Sequence, residues 1–148
     1  MNPLNLHLTD KIKINNLIFE ISEVVERKVS ENEKEKSFFS YHLKAENESI
    51  THAEIDYFKD SEIFFHLTKK IKSDIYQDKV IIENNEYEIL VNEDGFFMDP
   101  ETKEIKDVKI IKLKNNSQGI SPHELHILED FEIFYLNSKI GKEDIKNE

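Results

Sequence analysis

A chain of 148 residues is long enough for one compact domain with a real core. It is 38% hydrophobic and 34% charged, with a formal net charge of −11 at pH 7. That acidity disfavours nonspecific binding to nucleic acid, whose phosphates it repels, and a chain without Cys has no disulfides or thiolate metal sites. Ten Phe and five Tyr, with many Ile and Val, argue for a buried core over a disordered polyelectrolyte. The opening MNPLNLHLTD lacks the basic and apolar regions of a signal peptide, and no apolar run approaches the ~20 residues of a membrane span. The expectation is a cytoplasmic protein without membrane insertion.

In chain order, residues 1–9 read as a lead-in, with Leu4, Leu6 and Leu8 placed to pair as an extra edge strand. Lys11–Ile14 alternates polar and apolar, Asn15-Asn16 interrupts, and Leu17–Ile21 resumes the alternation. Asn tolerates positive φ better than other non-glycine residues, so this is a hairpin signal. The segment has an echo. Asp10–Ile21 laid ungapped over Asp78–Ile89 matches at six of twelve positions, and Asn84-Asn85 is read as the second turn.

Glu26–Lys36 is a mixed-charge stretch expected at a solvated hairpin tip. Its counterpart, Asn92–Lys106, is longer and carries the turn dipeptides Asp94-Gly95 and Asp99-Pro100. Strands are expected at Ser37–Lys44 and Val108–Lys114, followed by turns at Glu46–Ser49 and Asn115–Gly119. Further strands are expected at His52–Phe58 and Glu62–Leu67, around a turn at Lys59–Ser61, and at His123–Leu128 and Phe131–Leu136. A second ungapped echo, Tyr41–Phe65 over Ile111–Tyr135, includes Leu43/Leu113, Glu54/Glu124, Asp60/Asp130, Glu62/Glu132 and Phe64/Phe134.

Ser121-Pro122-His123-Glu124 also resembles a helix start. The β-branched and aromatic alternation of Thr51–Phe58 in the first copy favours strand for both. The fold expected is mainly β: a tandem duplication of a roughly seventy-residue, five-stranded unit, forming two small barrel-like or sandwich-like halves packed together. The repeats fall at 1–76 and 77–148, within one structural domain.

Candidate site residues are few. Phe96 and Phe97, after Asp94-Gly95, are the best candidates for a partner-binding patch. Glu54, Glu62, Glu124 and Glu132 could form an acidic ridge for a basic partner. His52, His66 and Glu54 make a conceivable acid–base or metal-assisted set across a hairpin. His123 and His126 would converge on a metal only if their segment were helical. No phosphate loop, nucleophile elbow or His-Glu-x-x-His is present, so no catalytic residue, metal or cofactor is assigned.

Two motifs carry a resemblance. Phe39-Ser40-Tyr41-His42-Leu43 forms an aromatic-Tyr-x-Leu strand, and Ile120-Ser121-Pro122-His123-Glu124 leads into Phe131–Ile140. The chain resembles an uncharacterised bacterial β-rich domain family often encoded near phage-shock-type membrane-stress and spermidine-synthase-like genes. It lacks the Trp that often precedes the first motif, and Asn137-Ser138 stands where that family commonly has Gly. The family has no agreed catalytic residues. Duplication without a catalytic constellation, together with strong acidity, makes the leading expectation a non-enzymatic interaction module in a bacterial stress or conflict system, with a protein partner. Its recognition surface would be the groove between copies or the longer second-copy loop. Two rivals are an acidic inhibitor or immunity-type protein masking a basic site, and an enzyme using His52, His66 and Glu54.

Overall fold

A computed structural model describes residues 2–31, 33–58, 62–116 and 120–148. Twelve strands run in it: β1 Lys11–Ile14, β2 Leu17–Glu31, β3 Lys34–Ala45, β4 Ile50–Phe58, β5 Ile63–Ile71, β6 Ser73–Ile75, β7 Lys79–Ile82, β8 Asn85–Met98, β9 Ile105–Leu113, β10 His123–Ile127, β11 Glu132–Ile140 and β12 Lys146–Asn147. A 3-10 turn, Lys142–Asp144, precedes β12. Among the described residues there is no α-helix, and none long and apolar enough to cross a membrane. The mainly β expectation holds, including strand for His123–Ile127.

The chain divides into two compact units. Unit one is residues 1–67 with 138–148, and unit two is residues 68–137. Unit one is an antiparallel succession in the order β12-β1-β2-β3-β4-β5. Its core is the apolar face of this sheet, where Ile12, Ile14, Phe19, Ile21, Tyr41 and Ile55 are essentially inaccessible. Phe19 meets Phe65 edge to ring at 5.7 Å, a favoured quadrupole geometry. Unit two runs β11-β10-β9-β8-β7-β6 around Val80, Ile82, Ile111, Leu113, Leu125 and Phe134.

The sixth strand in each unit was not expected. The last strand in each order, β12 or β6, is only two or three residues long, which leaves little open edge for wrong pairing.

Local chemistry explains several turns. Asn15 and Asn16 both take positive φ, as a two-residue hairpin turn of the favoured twist requires. In unit two the positive-φ pair is Glu83 and Asn84, one residue before the Asn84-Asn85 expected. The sequence echo, which sets Glu83 opposite Asn15, gives this register, and Asn85 is already paired in β8. Each long strand has one register shift, between Ile21 and Glu23 in β2 and between Ile89 and Val91 in β8. Such a bulge reverses which face the following residues present.

Three expectations need correction. Leu4–Leu8 forms no strand, because Asn5 and Thr9 sit at positive φ. Leu6 instead plugs the core while Leu8 stays exposed, and Asn2 holds the Leu6 backbone through both its side-chain oxygen and nitrogen. Next, the strands run further into the Glu26–Lys36 and Asn92–Lys106 hairpins than expected: pairing continues to Glu31↔Lys34 and to Met98↔Ile105.

Finally, the second echo slips by one residue beyond β10. Phe65 and Phe134 are the buried pair, whereas Phe64 and Tyr135 are only partly buried. The closing backbone bonds agree, running Phe58 to Glu62 in one hairpin and Leu128 to Phe131 in the other. One residue fewer in the second hairpin moves every later side chain to the other face relative to an ungapped match. The Lys59–Ser61 turn, with Asp60, and residues 117–119 of the Asn115–Gly119 turn lie outside the described residues.

Candidate functional site

In unit one, alternation sends Tyr41, Leu43, Ala53 and Ile55 to the core, so Ser40, His42, Glu54 and Asp56 share the opposite face. Ser40 lies opposite Asp56 and His42 opposite Glu54 in the β3–β4 ladder. The bulge at Ser22 sets Glu23, Val25 and Arg27 of β2 opposite His42, Ser40 and Phe38. Phe38 stacks on Phe58 at 4.7 Å and Phe58 meets Phe64 at 5.5 Å, building an apolar wall beside the polar residues.

Two linked groups result. Asp56 accepts a 2.7 Å hydrogen bond from Ser40 Oγ and lies 3.2 Å from His66 Nε2. Glu54 Oε1 lies 3.4 Å from His42 Nε2, 3.9 Å from Arg27 Nη2 and 4.0 Å from His52 Nε2. Arg27 Nη2 is 3.0 Å from His42 Nε2, a bond in which the imidazole nitrogen is the acceptor.

Burial pushes Glu54 up to about 7, helped by its hydrogen bond to Asp56 and by the Asp56 charge. Burial also pushes Asp56 up, but hydrogen bonds from His66, Glu54 and Ser40 and the His66 charge outweigh it, so its carboxyl is held below the usual range. A proton is thus held more readily by Glu54 than by Asp56. His52 is shifted down, first by burial and then by the neighbouring His42 and His66.

The sequence-chosen trio is therefore split: His52 stands near Glu54, whereas His66 serves Asp56. Arg27, Ser40, His42 and Asp56 were missed as functional residues. Their signal is polar residues alternating with Tyr41, Leu43, Ala53 and Ile55 along two adjoining strands.

No family model, curated protein or solved structure matches this chain.

In unit two, β8 and β9 pair from Asp94↔Lys109 out to Met98↔Ile105, beyond the reach of β10, whose pairing ends at Ile127↔Lys109. Asp99 closes the ribbon: its carboxylate accepts from the Glu101 and Thr102 amides, and these bonds hold it below the usual carboxylate range. Phe96 is 77% exposed, Met98 57% and Ile105 65%. Phe96, Met98 and Ile105 lie on one face of the ribbon, and Phe97 and Lys106 on the other. Asp94, Gly95 and Phe96 line a depression of about 460 Å³ with Asp107, Val108, Lys109 and Ile127. Phe96 and Phe97 are thus strand residues open to solvent.

The four ridge candidates have separate partners. Glu54 belongs to the histidine cluster, and Glu62 pairs with Lys139 at 3.6 Å. Glu124 lies 3.2 Å from His126, and Glu132 accepts from the backbone and hydroxyl of Ser73. His123 is a core residue, packed on Tyr87 and Phe134, with Nδ1 accepting from the Asn137 amide; burial lowers its pKa. As strand residues three apart, His123 and His126 face opposite sides. Among the described residues, no three His, Asp or Glu side chains are placed to hold a metal ion.

Proposed function

We propose that this protein is a non-catalytic interaction module of the bacterial cytoplasm, in a stress or conflict system, and that the β8–β9 ribbon is its partner-binding element. The observation carrying this reading is the exposed apolar face of Phe96, Met98 and Ile105 at the end of a paired ribbon. Large apolar side chains clustered at a tip are costly to leave in water and are the usual anchors of a protein contact.

On the same ribbon exposed Asp94, Glu101, Glu104 and Asp107 outnumber exposed Lys103 and Lys106, so the partner is a protein with an apolar cleft rimmed by Lys or Arg. The chain descends from a duplicated unit, with repeats at 1–76 and 77–148. Support comes from the positive-φ turns at Asn15-Asn16 and Glu83-Asn84 and from the bulges at Ser22 and Leu90.

The test is quantitative affinity capture from native lysate, followed by binding measurements on the captured protein. The double variant Phe96→Ala, Phe97→Ala is expected to weaken binding by about 2 kcal/mol, roughly thirtyfold, with the fold intact. Equal capture by the variant overturns the assignment. The acidic rim also supports a second reading, an inhibitor that masks a basic site. In that case raised salt slows association far more than the double Ala change does.

A further inference from the structure

β8 has a neighbour on both sides for only part of its length. Towards β7 the pairing ends at Lys79↔Glu88, with one further bond from the Ile89 N–H to the Asp78 carbonyl. Among the described residues no other strand lies on that side, so from Leu90 to Met98 β8 is held by β9 alone. At the ribbon's end Asp99 donates its N–H to the Glu104 carbonyl, which fixes the alternation along the strand. The backbone groups of Val91, Glu93, Gly95 and Phe97 turn to β9, and those of Asn92, Asp94, Phe96 and Met98 turn outwards. Among the described residues these outward groups have no partner.

Open edges are ordinarily guarded by charge, Lys above all, by Pro or by brevity. The matching edge of unit one, free of β1 beyond Ile21, is Ser22–Glu31, where five residues in ten are charged, Arg27 and Lys28 among them. Leu90–Met98 has no Lys, Arg or Pro, and its Leu90, Val91, Phe96, Phe97 and Met98 are all exposed. We propose that this edge of β8 receives an extended strand of the partner protein, basic where it passes Glu93 and Asp94 and apolar where it passes Phe96, Phe97 and Met98. The proposal rests on the reading of the ribbon as the partner-binding element and adds the way it binds.

The occupant follows from the edge itself. A further strand repeats its main-chain groups at the spacing of Asn92, Asp94, Phe96 and Met98, and a helix, bonded within itself, has none to offer them. Side chains opposite one another in such a pair match by type, charge with opposite charge and aromatic with apolar. Glu93 already lies 4.0 Å from Lys112, whereas Asp94 has no ion pair among the described residues and is left for a cation of the partner. A second copy of the chain fits poorly, because it would bring another Glu93 and Asp94 to the same edge, and another net charge of −11.

The probe is a capped peptide, Val-Ile-Val-Thr-Lys-Arg-Thr, written to run antiparallel to Asn92–Met98 with its Lys opposite Asp94. In folded wild type it is expected to slow amide exchange at Asn92, Asp94, Phe96 and Met98 at least about tenfold, and to change the β9-bonded amides little. N-methylation of its third and fifth residues, whose N–H groups face β8, is expected to weaken binding about tenfold or more. The same modification at its second and fourth residues, with charge and composition unaltered, should leave binding within about twofold. Asn92→Pro removes one outward N–H and no bond to β9, and is expected to bind the peptide about tenfold more weakly, whereas Asn92→Ala binds it like wild type.

Two results overturn the added strand: no slowing of the outward amides at peptide concentrations up to about 1 mM, or equal binding of the two N-methylated forms. A captured partner lost from Phe96→Ala, Phe97→Ala but held by Asn92→Pro as by wild type also overturns it, and leaves the ribbon as the binding element.

Discussion

Where β3 and β4 of unit one pair Ser40 with Asp56 and His42 with Glu54, β9 and β10 of unit two pair Ile110 with His126 and Lys112 with Glu124. Only the glutamate is common. Arg27, opposite Phe38, corresponds to Gly95, opposite Val108. A Cβ at Gly95 would meet Ile110 Cδ1 at 3.0 Å, so a side chain there would require the isoleucine that stands in place of serine to shift by a few tenths of an ångström. The ribbons differ in the opposite sense. In sequence, eight of the eleven residues from Glu26 to Lys36 are charged, while the end of the β8–β9 ribbon carries Phe96, Phe97, Met98 and Ile105. Positions that fill the cores agree in kind, Ile55 with Leu125 and Leu43 with Leu113. One backbone plan thus supports a polar constellation on the face of one unit and an apolar tip on the other.

The largest expected effects test whether the two units really correspond one residue out of the ungapped register. Phe65→Ala and Phe134→Ala should each cost about 3–5 kcal/mol in urea unfolding, because both remove a buried ring. Phe64→Ala and Tyr135→Ala should each cost clearly less, since those rings are partly exposed. The reverse order would break the correspondence.

Next in size is the contrast between Glu54 and Glu124. With its carboxyl raised from an ordinary 4.5 to about 7, folded Glu54 holds a proton that the unfolded chain releases. Stability from this group is therefore full below about pH 4.5 and is lost as pH rises to about 7, by on the order of 2 kcal/mol. Asp56, shifted down, acts in the other sense: its contribution is lost as pH falls through its lowered value. Glu54→Gln should flatten the decline between about pH 4.5 and 7, while Glu124→Gln keeps it. A decline undiminished in Glu54→Gln would remove Glu54 as its cause.

The smallest effect sharpens the turns. Asn16→Ala and Asn84→Ala place alanine at positive φ and should cost about 1 kcal/mol each, whereas Asn85→Ala should stay within about 0.5 kcal/mol.

The strands were legible because their periodicity is strong: Lys11–Ile14, Ser37–Lys44 and His52–Phe58 all alternate, and all are strands. The sixth strand of each unit was not, since Ser73–Ile75 and Lys146–Asn147 are too short to show a period. The slip after β10 was hidden by an accidental match of Glu-Ile-Phe letters, Glu62–Phe64 against Glu132–Phe134, that burial shows to be out of phase. At the site, His52, His66 and Glu54 could be chosen from their nearness along one hairpin. Arg27 could not, because its face depends on a bulge at Ser22 that no residue pattern announces. The placement of the ribbon's aromatics on paired strands was not legible, because Asp94-Gly95 reads as a turn and is instead part of β8.

The shortest strands have the widest consequence. β6 follows β5 yet lies against β7, with Ile75 opposite Val80, and β12 follows β11 yet lies against β1, with Asn147 opposite Ile12. A strand from the first half of the chain thus completes unit two, and a strand from the chain's end completes unit one. Severing the backbone between Tyr76 and Asp78 would yield two fragments, each holding a strand of the unit to which the other fragment contributes most. Recombined in one tube, they would have a reason to find each other that neither fragment's own hydrophobic interior supplies.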